Sequence, residues 1–175
     1  MHNPNSVEEH KQQAGASVQC MVITVSDTRT VHTDKSGPLM ISLLEEAGHH
    51  ITGYTIVRDD DQLIRDLITE SAKKDNIDVV LLTGGTGISS RDTTYEAVSS
   101  LLDKELPGFG EIFRYLSFAE DIGTAAILSR AIGGTLKNTA IFSMPGSTGA
   151  VRLAMSRILL PELSHIKHEL YKHQE

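Results

Sequence analysis

At 175 residues with 39% hydrophobic composition, the chain is long enough for one domain with a sizeable core, and its single cysteine, Cys20, excludes an internal disulfide and a CxxC zinc site. A formal charge of −7 at pH 7 argues against non-specific binding to nucleic acid or to anionic membranes. It leaves phosphate ligands open, because backbone N–H groups and bound cations do not register in a charge count.

Residues 1–17, MHNPNSVEEHKQQAGAS, read as a flexible polar arm without the basic and apolar blocks of a secretion signal. Residues 18–175 read as a single domain, and with no apolar run of 18 residues a cytoplasmic location is expected. Met21 to Ser26 is short, β-branched and apolar on both pleat faces, as in a buried strand, with Cys20 as a small apolar residue at its start. A helix follows from Ser36-Gly37-Pro38, with Leu39, Ile41, Leu43 and Leu44 as its buried stripe and Gly48 as its end. His49-His50 reads as a turn.

Ile51 to Val57 is a second strand, and Leu63, Ile64, Leu67 and Ile68 then recur at helical spacing behind Asp59 to Asp61, which can cap that helix. Asp78 to Thr83 is a third strand running into Gly84-Gly85-Thr86-Gly87, after which Thr93-Thr94-Tyr95-Glu96 has the form of a capping box for a helix through Leu102. Pro107-Gly108-Phe109-Gly110 reads as a break. Helical stretches follow around Ile112, Phe113 and Leu116 and again around Ala125, Ile127 and Leu128. A last strong strand, Thr139 to Ser143, leads into Met144-Pro145-Gly146-Ser147 and a helix from Ala150 to Leu160, and His165 and His168 fall on a terminal helix. The alternation predicts an α/β fold in three layers, with a mostly parallel central sheet, helices on both faces, and ligands at the carboxyl ends of the strands.

Three strand ends carry small or acidic residues: Ser26-Asp27, Thr83 to Gly87, and Pro145-Gly146-Ser147. A glycine-rich turn at such an edge lets several backbone N–H groups approach an anion, since no Cβ blocks the way and positive φ is allowed. The loop is neither a GxGxxG fingerprint, which fails at Ser90, nor a P-loop. A tight turn without a ligand would also explain it. Asp27, Asp34, Asp59 and Asp92 are equally ordinary turn and cap residues, but they share a place beside the expected ligand edge. The histidines complete no HExxH motif and read as a solvated helix face.

Five segments occur in a telling order: Asp34-Lys35-Ser36-Gly37, Thr83 to Gly87 with Arg91-Asp92, Leu106 to Glu111, Ser129-Arg130, and Met144 to Ser147. Over roughly residues 18 to 165 the chain resembles the molybdenum cofactor biosynthesis protein B and molybdopterin adenylyltransferase family, whose molybdopterin-binding domain also occurs at the gephyrin N-terminus. The resemblance implies binding of molybdopterin and its adenylylation with Mg2+ and ATP, releasing pyrophosphate. By the same resemblance Asp59 and Asp92 are the catalytic and magnesium-directing acids. Thr83, Gly84, Gly85, Thr86, Gly87 and Arg91 would cradle phosphate, and Ser36, Gly37, Pro145, Gly146 and Ser147 would line the pterin side or the adjoining phosphate.

A homotrimer or homohexamer is implied too, with a molybdenum-insertion protein as a partner downstream. Arg91 and Arg130 stand open between ligand contact and solvated residue, and Asp34 is open between ligand contact and support of the Ser36 turn. The rival reading is a non-catalytic molybdopterin carrier or assembly protein that kept the pocket without turnover.

Overall fold

A computed structural model describes residues 15–173. Six strands form one sheet in the order β2-β1-β3-β6-β5-β4. They are β1 (Gln19–Val25), β2 (His50–Val57), β3 (Val79–Thr83), β4 (Lys104–Glu105), β5 (Ile132–Leu136) and β6 (Thr139–Met144). β2, β1, β3 and β6 run parallel, whereas β5 lies antiparallel to β6, and β4 to β5. The mostly parallel sheet is present, with an antiparallel edge that the strand periodicity does not announce.

The helices are α1 (Ser36–Glu46), α2 (Asp61–Ala72), α3 (Thr94–Leu101), α4 (Pro107–Glu120), α5 (Thr148–Ala154) and α6 (Leu163–Tyr171), with a 3-10 turn at Gly123–Leu128 and a π turn at Met155–Leu159 after α5. Because successive strand residues point to opposite faces, each central strand feeds two cores. Val22, Leu81 and Phe142 join Met40, Leu44, Phe113 and Met155 under α1, α4 and the α5 segment. Ile23, Val80, Leu82 and Ile141 join Ile64, Ile68, Ala97 and Val98 under α2 and α3. Helices therefore cover both faces, giving three layers. Truncating a fully buried member such as Leu81 to alanine would cost about 2–5 kcal/mol.

Several local expectations need correction. On α1 it is Met40 and Leu44 that are fully buried, with Leu39, Ile41 and Leu43 only partly covered. The turn falls at Ala47-Gly48 rather than at His49-His50: His50 opens β2, and His49 is buried, its Nδ1 accepting the Val18 N–H at 3.2 Å, with burial holding its pKa below the ordinary value. Pro107 to Gly110 is not a break but the first turn of α4, where proline at the start sacrifices no helical hydrogen bond. The capping box does not form at α3, because the Thr93 hydroxyl is turned to Asp59 instead. Asp60, by contrast, caps α2 by accepting the Leu63 N–H at 3.0 Å.

At the amino edge of the sheet, Asp78 accepts the Gln19 N–H at 2.8 Å and pairs with Lys167 at 2.9 Å, and the Tyr171 hydroxyl reaches it at 3.2 Å. These contacts dock α6. The same helix holds the end of the proposed arm, with Ser164 and Lys167 donating to the carbonyls of Ala16 and Ser17. The remainder of that arm, residues 1–14, lies outside the described residues. Cys20 is buried and burial pushes its thiol up to about 12, which fits a small apolar residue and leaves no thiolate for chemistry at neutral pH.

Candidate functional site

The loops after β1, β3 and β6 converge at the carboxyl edge of the sheet around a cavity of about 500 Å³. Its lining includes Ser26, Arg29, Gly84 to Gly87, Asp92, Pro145 and Gly146, with Ile122 at the start of the 3-10 turn and Ala125 and Leu128 within it as an apolar wall. The parallel strands aim three loops at one place, as the alternating pattern requires.

Two glycines make the β3 loop possible. Gly84 has φ +103°, and a Cβ there would sit 2.3 Å from the Val25 carbonyl oxygen. Gly85 has φ +67°, and a Cβ would meet the Thr94 Oγ1 at 2.1 Å and an Asp59 carboxylate oxygen at 2.8 Å. Any larger residue would be strained and would displace the acid behind the loop. The loop is also stitched to its neighbour. Gly84 N–H donates to the Met144 carbonyl at 3.0 Å, and the Thr83 hydroxyl donates to the Pro145 carbonyl at 3.1 Å.

The two acids stand behind and beside this loop. Asp59 is buried, and one of its oxygens accepts both the N–H and the hydroxyl of Thr93. Asp92 lines the cavity, with Oδ2 accepting the Ser89 N–H at 2.9 Å and lying 2.7 Å from where a Gly87 Cβ would be. Asp92 therefore closes the turn 89–92 rather than capping α3, whose N-cap is Thr93. Among the described residues no group of three or more His, Cys, Asp or Glu side chains gathers as a metal cage. Asp92 is the carboxylate in the cavity lining, and Asp59 lies buried behind Gly85 outside that lining; such a pair suits Mg2+, which commonly takes one or two carboxylates and completes its shell with substrate phosphate oxygens and water.

The other sequence-derived residues divide. Thr86 is buried and lines the cavity. Thr83 is fully buried and braces the loop from below. Ser147 caps α5 by accepting the Ala150 N–H at 3.1 Å. Ser36 and Gly37 are buried behind the cavity rather than in its lining. There Asp34 accepts from the N–H groups of both, from the Ser36 hydroxyl, from Thr24 at 2.7 Å and from Tyr54 at 2.6 Å. Burial works to raise the Asp34 carboxyl, but these donors together hold it below its usual range. Asp34 thus supports the Ser36 turn.

Arg91 is largely exposed and pairs with Asp27 at 2.7 Å, and this bond holds the Asp27 carboxyl below its usual range. Asp27 also accepts the Asp59 N–H at 3.1 Å, so the pair joins the β1, β2 and β3 loops at the rim of the site. Arg29, which sequence patterning did not single out, lines the cavity. Its guanidinium donates to Ser36 at 2.7 Å and to the Gly146 carbonyl at 3.2 Å, and pairs with Asp34 at 3.4 Å. Its only sequence signal is its place four residues after β1, a strand that ends at the ligand edge.

Comparison with known proteins places this geometry. Residues 21–165 match the family described as "Probable molybdopterin binding domain". Molybdenum cofactor biosynthesis protein B of Bacillus subtilis is 58% identical over 167 residues, 95% of this chain and 98% of its own, and that of Halalkalibacterium halodurans is 60% identical over the same shares. A crystal structure of Molybdenum cofactor biosynthesis protein B, 57% identical, superposes with a TM-score of 0.88 over 90% of this chain and 98% of that one. The tungsten cofactor synthesizing protein MoaB from Pyrococcus furiosus, 39% identical, gives 0.79 over 88% and 97%.

Proposed function

The chain belongs to the molybdopterin-binding domain family of molybdenum cofactor biosynthesis, and from that premise we propose that it binds molybdopterin in the carboxyl-edge cavity and adenylylates it with ATP and Mg2+. A terminal phosphate oxygen of the pterin attacks the α-phosphorus of ATP, the bond to the bridging oxygen breaks, and pyrophosphate leaves. The observation that carries this reading is a positive-φ glycine loop that lines the cavity together with Asp92 and is backed at Gly85 by the buried Asp59 carboxylate.

Such a transfer needs in-line positioning of two phosphates and neutralisation of the charge that builds on the transferring group. The N–H groups of Gly85 to Gly87 and the Thr86 hydroxyl supply fixed donors without reorganisation at the moment of reaction. Magnesium, held by Asp59 and Asp92 together with substrate oxygens, would neutralise phosphate charge. Arg29 fixes the Gly146 carbonyl and so the shape of the opposite wall. The 3-10 turn gives an apolar surface against which a flat pterin can lie while its polar edges face the loops.

Purified protein incubated with molybdopterin and Mg-ATP should release pyrophosphate and yield adenylylated pterin. Binding without product would favour the carrier or assembly role. The chain also self-associates in this reading. Ile112, Tyr115, Phe118, Ile122 and Ile127 are more than half exposed along α4 and the 3-10 turn, an apolar face of the kind that a second copy covers.

A further inference from the structure

Arg130 stands between the 3-10 turn and β5, facing a cavity of about 540 Å³ behind the site rather than the site cavity itself. Its Nε donates to the Gly87 carbonyl at 2.9 Å, and one terminal nitrogen donates to the Asp92 carbonyl at 3.3 Å. The other terminal nitrogen pairs with Glu96, and the guanidinium lies 5.2 Å from the centre of the Tyr95 ring. One planar cation therefore holds both ends of the segment 87–92 while being fastened itself to the first turn of α3.

The segment needs such a fastener. Ile88 to Arg91 are exposed, and the turn is closed internally by bonds of Asp92 and the Arg91 N–H to Ser89. Beyond that turn the segment is tied by Arg91 to Asp27 and by Thr93 to Asp59, and Arg130 is the group that holds the Gly87 and Asp92 carbonyls. A guanidinium meets two diverging carbonyls and a carboxylate at once because its five donors are fixed in a plane, which the single ammonium head of lysine cannot reproduce. Formation of the Glu96 pair holds that carboxyl below its usual range, consistent with a bond made in the folded chain.

We propose that Arg130 is a positioning residue that presets the glycine loop and Asp92 for transfer through the bonds to Gly87 and Asp92, without touching either substrate. The kinetic part of this proposal rests on the adenylyl-transfer reading; the structural part does not. Displacement of a reacting group by about 1 Å costs on the order of 10² in rate, so turnover rather than affinity carries the effect.

The test compares the parent with Arg130→Ala and Arg130→Lys by hydrogen exchange of the ligand-free protein and by steady-state kinetics with molybdopterin and Mg-ATP. Both variants should exchange the amides of 87–93 at least about tenfold faster with β3 and β6 still protected. Their kcat should fall by about 10² with KM for pterin within threefold, and millimolar guanidinium should restore part of the turnover of Arg130→Ala. Unchanged exchange in 87–93 overturns the proposal. So does protection lost throughout β3 and β6, which would make Arg130 a residue of the fold. A parent that makes no product sinks the adenylylation reading alone, and the exchange data then decide the positioning role.

Discussion

The Asp59 carboxylate accepts both the N–H and the hydroxyl of Thr93, at 2.9 and 2.8 Å, and so fastens the loop after β2 to the start of α3. One acid thus has a structural duty and, in the proposed reaction, an electrostatic one, and two substitutions separate them. Asp59→Asn keeps an acceptor for Thr93 and should melt close to the parent while adenylyl transfer falls by about 10² to 10³. Asp59→Ala leaves the part-buried Thr93 donors without this partner and should in addition lose about 1 kcal/mol in denaturant unfolding.

At Gly85 the outcome is fixed by two independent obstacles, a positive φ and a methyl group placed against Thr94 and Asp59. Gly85→Ala should destabilise by about 1–3 kcal/mol and weaken molybdopterin binding in titration calorimetry. Unaltered affinity in a folded variant would mean that the glycine loop is only a turn.

The Asp34 network gives a dependence on pH. Its carboxyl is held below the usual range, so as the pH falls under about 3.9 the unfolded chain takes up the proton first. The stability it contributes is complete at neutral pH and is lost as the pH falls through its folded value. Tyr54→Phe removes the 2.6 Å donor, which should raise that value, move the acid unfolding midpoint upward and cost about 1–3 kcal/mol at neutral pH. An acid midpoint identical to the parent's would show that Tyr54 does not stabilise the ionised form.

Much of this arrangement can be read from the chain itself. β1, β3 and β6 stand out because a strand buried on both faces reads as a nearly continuous apolar run rich in β-branched residues, and the glycines after β3 mark the turn that builds the cavity. β5 does not stand out, because Gly133 and Gly134 interrupt its apolar run. They are required by contacts that no pattern displays: a Cβ on Gly133 would lie 2.5 Å from the Phe142 ring, and one on Gly134 2.3 Å from the Lys104 carbonyl. Arg29 is illegible, and Arg130, which the motif order singles out, keeps its role hidden, for a related reason. Their partners, Gly146 and Gly87, are backbone carbonyls 117 and 43 residues away, so only the folded topology brings them together.

Self-association should be visible in solution. The parent should sediment above its 19.1 kDa chain mass at micromolar concentration, and Ile127→Asp, at a side chain 82% exposed, should shift it toward that mass without changing its far-ultraviolet circular dichroism. A parent that sediments only as a 19.1 kDa species would remove the apolar face from the account.

The central claim is that this cavity transfers an adenylyl group, and ATP labelled at the α-phosphate tests it most directly when incubated with molybdopterin, Mg2+ and either the parent or Asp92→Asn. Asparagine can still accept the Ser89 N–H, and Asp92 does not cap α3, so the variant should fold and bind pterin like the parent. The account predicts label on the pterin and pyrophosphate in solution with the parent, and a rate lower by about 10² to 10³ with the variant. Label that stays in ATP while the parent binds pterin, or a variant within about threefold of the parent, would contradict it.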